Sequence, residues 1–171
     1  MRKILFVASE GVPFIKTGGL ADVVGALPKC IDREHYDVRV VLPRYVCMTQ
    51  AVKDKMKYIT HFYMDFHWQN QYVGIMEAEV DGVTFYFIDN EFYSDNALFE
   101  IEKFAFFSKA ALSILPVIDF RPDLIHCHDW QTGLVPVYLH ERFQGSDFFR
   151  GIKTVMTIHN LKFQGKWSIQ D

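Results

Sequence analysis

Ile4-Leu5-Phe6-Val7-Ala8 is an unbroken apolar run close to the start of the chain. Strands covered on both faces of a parallel sheet read this way, without polar alternation. The run predicts a strand over about Lys3 to Ala8. Beyond a loop from Ser9 to Ile15 the spacing changes. Leu20, Val23, Val24, Leu27 and Ile31 recur on one helical face, so a helix is predicted from Leu20 to Cys30, with Pro28 near its end. Asp37 to Leu42 is a second parallel-type strand, closed by Pro43.

Lys57 to Phe66, Tyr72 to Glu79 and Val83 to Ile88 then read as successive strands. Asp81-Gly82 joins the last two and is a strong hairpin signal. Glu102 to Leu115 reads as a helix, with Phe106, Lys109, Ala110 and Ser113 at helical spacing. Leu124 to Cys127 is a short strand, Gln131 to Arg142 a helix and Lys153 to Ile158 another strand. This alternation predicts an α/β fold: a Rossmann-like, doubly wound, mostly parallel sheet with a small antiparallel hairpin excursion. At 171 residues it is one domain. In such sheets ligands bind at the carboxyl ends of the strands. The three chemically loaded segments lie there: Lys16 to Asp22, His126 to Trp130 and His159 to Gln164.

Composition narrows the function. A net charge of −3 without a basic stripe argues against nucleic acid. No apolar stretch is long enough to cross a membrane, and Glu10 interrupts the only signal-like run. Cys30, Cys47 and Cys127 are scattered and odd in number, as in cytoplasmic proteins. The aromatic fraction of 16% includes Phe62-Tyr63-Met64-Asp65-Phe66-His67-Trp68 and Phe85-Tyr86-Phe87, which are assigned mainly to the core.

Lys16-Thr17-Gly18-Gly19-Leu20-Ala21-Asp22-Val23 sits at the first strand-to-helix turn. Glycines there let backbone N–H groups approach a ligand, and the helix N-terminus carries partial positive charge. With Lys16 beside it, this is a candidate phosphate site. The alternative is that Gly18 and Gly19 only relieve a tight corner. In His126-Cys127-His128-Asp129-Trp130, strand alternation puts His126 and His128 on one side and Cys127 on the other. No converging set of ligands results, and neither metal nor cofactor is assigned. Asp129 either N-caps the next helix or faces a hydroxyl-rich ligand. His159 and Asn160 stand where the last strand emerges, which fits sugar binding as well as a structural histidine.

These segments, with Gln131-Thr132-Gly133, Thr157-Ile158-His159-Asn160-Leu161 through Gln164-Gly165, Phe104-Ala105-Phe106-Phe107-Ser108 and Asp89-Asn90-Glu91, resemble the bacterial glycogen synthase and plant starch synthase family. The resemblance runs from Met1 to about Trp167. It implies the amino-terminal, acceptor-side domain of a GT-B glycosyltransferase, over residues 1–171. The family transfers glucose from ADP-glucose, with retention, to the non-reducing end of an α-1,4-glucan. The resemblance places Lys16, Gly18 and Gly19 near the donor phosphates and Asp22 in the cleft. Asn160, Gln164 and His128 would contact substrate, and His159 and Asp129 would stand closest to the chemistry.

Family members continue into a second Rossmann-like domain, which holds most nucleotide contacts and an essential glutamate. This chain lacks it and is expected to be inactive alone. The loop Ser94-Asp95-Asn96-Ala97-Leu98-Phe99-Glu100 is also shorter than the family's and lacks its tyrosine. ADP-glucose and glucan are the expected partners and the cytoplasm the expected compartment, with oligomeric state open. The rival readings are another GT-B transferase, a stand-alone glucan-binding module and a flavodoxin-like nucleotide binder.

Overall fold

A computed structural model describes residues 1–94 and 100–168. The chain runs β1 (Arg2–Val7), α1 (Gly19–Cys30), β2 (Tyr36–Pro43), α2 (Gln50–Lys53), β3 (Lys57–Phe66), β4 (Gln69–Val80) and β5 (Val83–Asp89). It continues through α3 (Glu100–Val117), β6 (Leu124–His128), α4 (Leu134–Tyr138) and β7 (Lys153–Thr157). The strands form one sheet in the order β3-β4-β5-β2-β1-β6-β7. β5, β2, β1, β6 and β7 are parallel neighbours, and β3 and β4 are the antiparallel excursion. The fold is therefore the Rossmann-like α/β type that the apolar pattern predicts.

From β1 the chain builds outward through β2 on one side and later through β6 on the other. That reversal is the switch point, and it opens a crevice beyond the carboxyl ends of β1 and β6. Phe6 and Ile125 lie in these two strands and are fully buried, as are Phe85 and Phe87 in β5 and Phe107 and Leu112 in α3. Each such side chain contributes about 1.5–3 kcal/mol through burial. Phe14, from the loop after β1, packs on Phe87 with ring centroids 4.7 Å apart and anchors that loop to the core.

Several local features differ from the sequence reading. β4 begins at Gln69, because His67 and Trp68 make the turn at positive φ (49° and 62°). Neither residue signals a turn, whereas the Asp81-Gly82 turn, also at positive φ, is legible. The short α2 escapes periodicity and is capped by Thr49, whose hydroxyl accepts the Val52 N–H. The helix expected from Gln131 to Arg142 is broken into a 3₁₀ turn (Trp130–Thr132), α4 and a π turn (Leu139–Phe143). Pro136 has no N–H to continue a regular ladder there. In the expected short loop, residues 95–99 lie outside the described residues.

β7 is an edge strand. Its alternation sends Val155 and Met156 to opposite faces, yet both are exposed, at 45% and 39%, and Ile158 beyond it is 63% exposed. Bare apolar edges invite pairing with another chain. Sedimentation velocity on this chain should show concentration-dependent self-association that Val155→Lys reduces. Monomer at every concentration would refute it.

Candidate functional site

The loop after β1 is organised around one carboxylate. Glu10 is 5% exposed. Its Oε2 accepts the Thr17 N–H at 2.6 Å, the Thr17 hydroxyl at 2.5 Å and the Gly18 N–H at 3.2 Å. Its Oε1 accepts the Ala21 N–H at 3.1 Å. A buried carboxylate at a helix N-terminus satisfies donors that have no partner inside the helix and complements the helix dipole. Part of the anion site expected at Gly18 and Gly19 is thus filled by the protein itself. Gly19 and Leu20, the first two residues of α1, have N–H groups with no protein acceptor among the described residues, and a Cβ built at Gly19 meets nothing within 4 Å. Lys16 Nζ is paired with Asp22 at 2.8 Å, and both side chains are about half exposed.

Behind Glu10 lies a cavity of about 180 Å³, lined also by Thr17, Tyr45, Lys103 and Gln131. Lys103 is 6% exposed, with its ammonium 5.6 Å from the Tyr45 ring centroid and 5.3 Å from that of Phe104. Sequence reading missed both Glu10 and Lys103. The available signal was a charge set among apolar neighbours, in Ala8-Ser9-Glu10 and in Ile101-Glu102-Lys103-Phe104.

The second cluster joins the ends of β6 and β7. Asp129 does not N-cap the following turn, a correction to one expected role. Its Oδ1 instead accepts the backbone N–H of His159 at 2.7 Å, while its own N–H donates to Thr157 O at 2.9 Å. Asp129 holds φ 61° and ψ 180°, a region that glycine alone enters freely. That conformation costs about 1–3 kcal/mol.

His128, expected to contact substrate, is fully buried and stands behind His159, with Nδ1 2.9 Å from His159 Nε2. The rings of His126 and His128 are 4.1 Å apart, on one side of β6 as alternation requires. His126 Nε2 lies 2.7 Å from the Thr157 hydroxyl. Burial, reinforced by His126 and His159, lowers the His128 pKa to about 3. Burial also lowers that of His126 and raises the Cys127 thiol to about 12.

Asn160 and Gln164 lie further along the same loop. Asn160 Oδ1 accepts the Lys162 N–H at 2.9 Å, and Gln164 Nε2 donates to Leu161 O at 2.6 Å. Gln164 lines a cleft of about 320 Å³ with Phe104, Trp130, Gly165 and Trp167. Gly165 has φ 58°, and a Cβ there would lie 2.3 Å from the Trp130 ring, so only glycine fits. The two clefts share Phe104 and Gln131, which links the loop after β1 to those after β6 and β7. Among the described residues no group of three His, Cys, Asp or Glu side chains is arranged to hold a metal ion. No helix among them is long and apolar enough to cross a membrane.

A family model for the starch synthase catalytic domain matches residues 3–171. The chain belongs to that family. Glycogen synthases from Lachnoclostridium phytofermentans and Lachnospira eligens are each 61% identical to it, over 100% and 99% of its length. It spans only 38% and 37% of those relatives. The catalytic domain of starch synthase IV from Arabidopsis thaliana, solved bound to ADP and acarbose, superposes with a TM-score of 0.85 at 29% identity. That match covers 96% of this chain and 35% of the plant domain. For a starch synthase family member, the convergence of the loops after β1, β6 and β7 marks this edge of the sheet as the candidate active site.

Two stability measurements test the site's construction. Glu10→Ala leaves the N–H groups of Thr17, Gly18 and Ala21 without their acceptor. Stability should fall by about 2–4 kcal/mol, the scale for stranding such donors. An unchanged urea midpoint would refute the anchoring role. Native His128 stays neutral down to about pH 3, whereas in the unfolded chain it binds a proton near its ordinary value of 6.5. Its contribution is intact above pH 6.5 and is lost as pH falls toward 3. The urea midpoint should decline across that window, less steeply in His128→Phe. Equal slopes would show that burial does not hold His128 neutral.

Proposed function

We propose that this chain is the amino-terminal, acceptor-side half of a GT-B glucosyltransferase. The enzyme transfers glucose from ADP-glucose, with retention, to the non-reducing end of an α-1,4-glucan in the cytoplasm. Family membership, the glycogen synthase relatives and the ADP- and acarbose-bound plant neighbour support this reading. The observation that carries it is the joint hold on His159. Asp129 binds its backbone N–H and His128 its ring, at the carboxyl edge where Rossmann-like sheets bind ligands.

In this reading Asp129 is a positioning residue and His159 faces the transferred glucose. Asn160 keeps its carboxamide N–H₂ for a sugar hydroxyl, and Gln164 its carbonyl oxygen, beside the Trp130 face. Gly18 and Gly19 open the start of α1, and the N–H groups of Gly19 and Leu20 meet a donor phosphate oxygen. Lys16 supplies positive charge to the departing diphosphate. An exposed ion pair contributes only about 0–1 kcal/mol, so Lys16 can exchange Asp22 for phosphate at little cost. A second Rossmann-like domain would supply the remaining nucleotide contacts and the catalytic glutamate.

Purified residues 1–171 should transfer no glucose from ADP-glucose to glycogen, and activity above a protein-free blank would overturn the division of labour. In the complete enzyme Lys16→Ala should cost about 2–4 kcal/mol of transition-state stabilisation, the scale of one electrostatic contact to developing charge. Lys16→Arg should recover part of it, because a planar fork replaces a compact charge. Wild-type kcat/KM in Lys16→Ala would rule out the phosphate role. His159→Ala should lower kcat far more than it lowers Tm, and an unchanged kcat would remove His159 from the site.

A further inference from the structure

His128 is packed among aromatic rings: Phe6 at 5.1 Å, His126 at 4.1 Å and His159 at 5.2 Å between centroids. Its Nε2 is buried and has no hydrogen-bond partner among the described residues. Its Nδ1 faces His159 Nε2 at 2.9 Å. Between two neutral imidazoles, one nitrogen donates and the other accepts. Were His128 the acceptor, its proton would sit on Nε2, as a buried N–H with nothing to bind. As the donor, it leaves only a bare lone pair in the core. Orphaned buried N–H groups are rarer and costlier than under-satisfied acceptors. The proton therefore lies on His128 Nδ1, and His159 Nε2 accepts it.

The neighbouring groups leave this assignment intact. His126 is turned to the Thr157 hydroxyl, and the Asp129 carboxylate to the His159 backbone. Which nitrogen of a histidine carries the proton is set by the bond that the other makes. We propose that His128 is a positioning residue that fixes His159 in the Nδ1-protonated form, so that the ring nitrogen with no partner among the described residues is a hydrogen-bond donor. His159 then offers an N–H to an acceptor oxygen. On the functional reading above, on which this consequence rests, that oxygen is a hydroxyl of the transferred sugar.

The tautomer can be read in this chain without any activity, from long-range ¹H–¹⁵N correlations of the imidazoles at alkaline pH. Wild-type His159 should show a protonated Nδ1 and a bare Nε2. His128→Leu should release it to a mixture dominated by protonated Nε2. His128→Asn, whose carboxamide N–H stands near the original Nδ1, should preserve the wild-type pattern. A protonated Nε2 in wild type would overturn the proposal, and the wild-type spectrum decides this even if His128→Leu fails to fold. In the complete enzyme His128→Leu should lower kcat about tenfold, on the scale of one hydrogen bond, with KM little changed and His128→Asn largely restoring it. Full kcat in His128→Leu with its tautomer altered would refute the positioning role. Absence of transfer by the wild-type enzyme would instead refute the functional reading, and the spectra would still decide the tautomer.

Discussion

The candidate site depends first on the Glu10 carboxylate. The start of α1 presents N–H groups that its own turns cannot satisfy, and the loop before it must reverse direction within a few residues. Glu10 answers both needs by binding Thr17, Gly18 and Ala21 together. Lys16, Gly18, Gly19 and Asp22 all hang on the loop or turn that this acid shapes. A phosphate approaching α1 would meet a helix end where the Thr17, Gly18 and Ala21 donors are already taken, while those of Gly19 and Leu20 have no acceptor among the described residues. Lys16 beside it is paired with Asp22.

The second half of the site is built on complementary lines. The loop after β7 has few internal constraints, but its first residue is tied twice to the end of β6. Asp129 sets the backbone position of His159, at the cost of an unfavourable conformation of its own, and His128 sets the ring. Two adjacent residues, one buried and one half-buried, thus hold one exposed side chain. Such a division leaves the His159 side chain accessible while its orientation is fixed from the core.

Much of this was legible beforehand because burial leaves a period in the sequence. Ile4-Leu5-Phe6-Val7-Ala8 could only be a strand covered on both faces, and the Leu20, Val23, Val24, Leu27 stripe only a helix against it. The doubly wound, mostly parallel class followed from alternation, and the placement of Lys16, His126 to Trp130 and His159 at the carboxyl edge followed from that class; the strand order did not. Partnership was not legible. A single line of residues does not disclose that Glu10 folds back on Thr17, or that Asp129 turns to His159 rather than to the next helix. Nor does it disclose that His128, which the resemblance placed at the substrate, is fully buried behind His159. The turn at His67-Trp68 was hidden because neither residue is a glycine, asparagine or aspartate, although both take positive φ.

The position of β1 has a further consequence, in the order of assembly. β3, β4 and β5 are consecutive and pair with their immediate successors, so that meander can form as soon as it is made. β1 occupies the middle of the sheet, yet its partner β6 lies about 120 residues later: the Lys3 N–H donates to the Asp123 side chain across 120 positions of sequence. Contacts of such separation form late, because the intervening chain must first be ordered. During synthesis at about 5–20 residues per second, β1 waits roughly 6–24 s for the strand that completes its pairing. Through that interval one side of this largely apolar strand stays open, which makes the nascent chain, rather than the finished one, the form most exposed to misassociation.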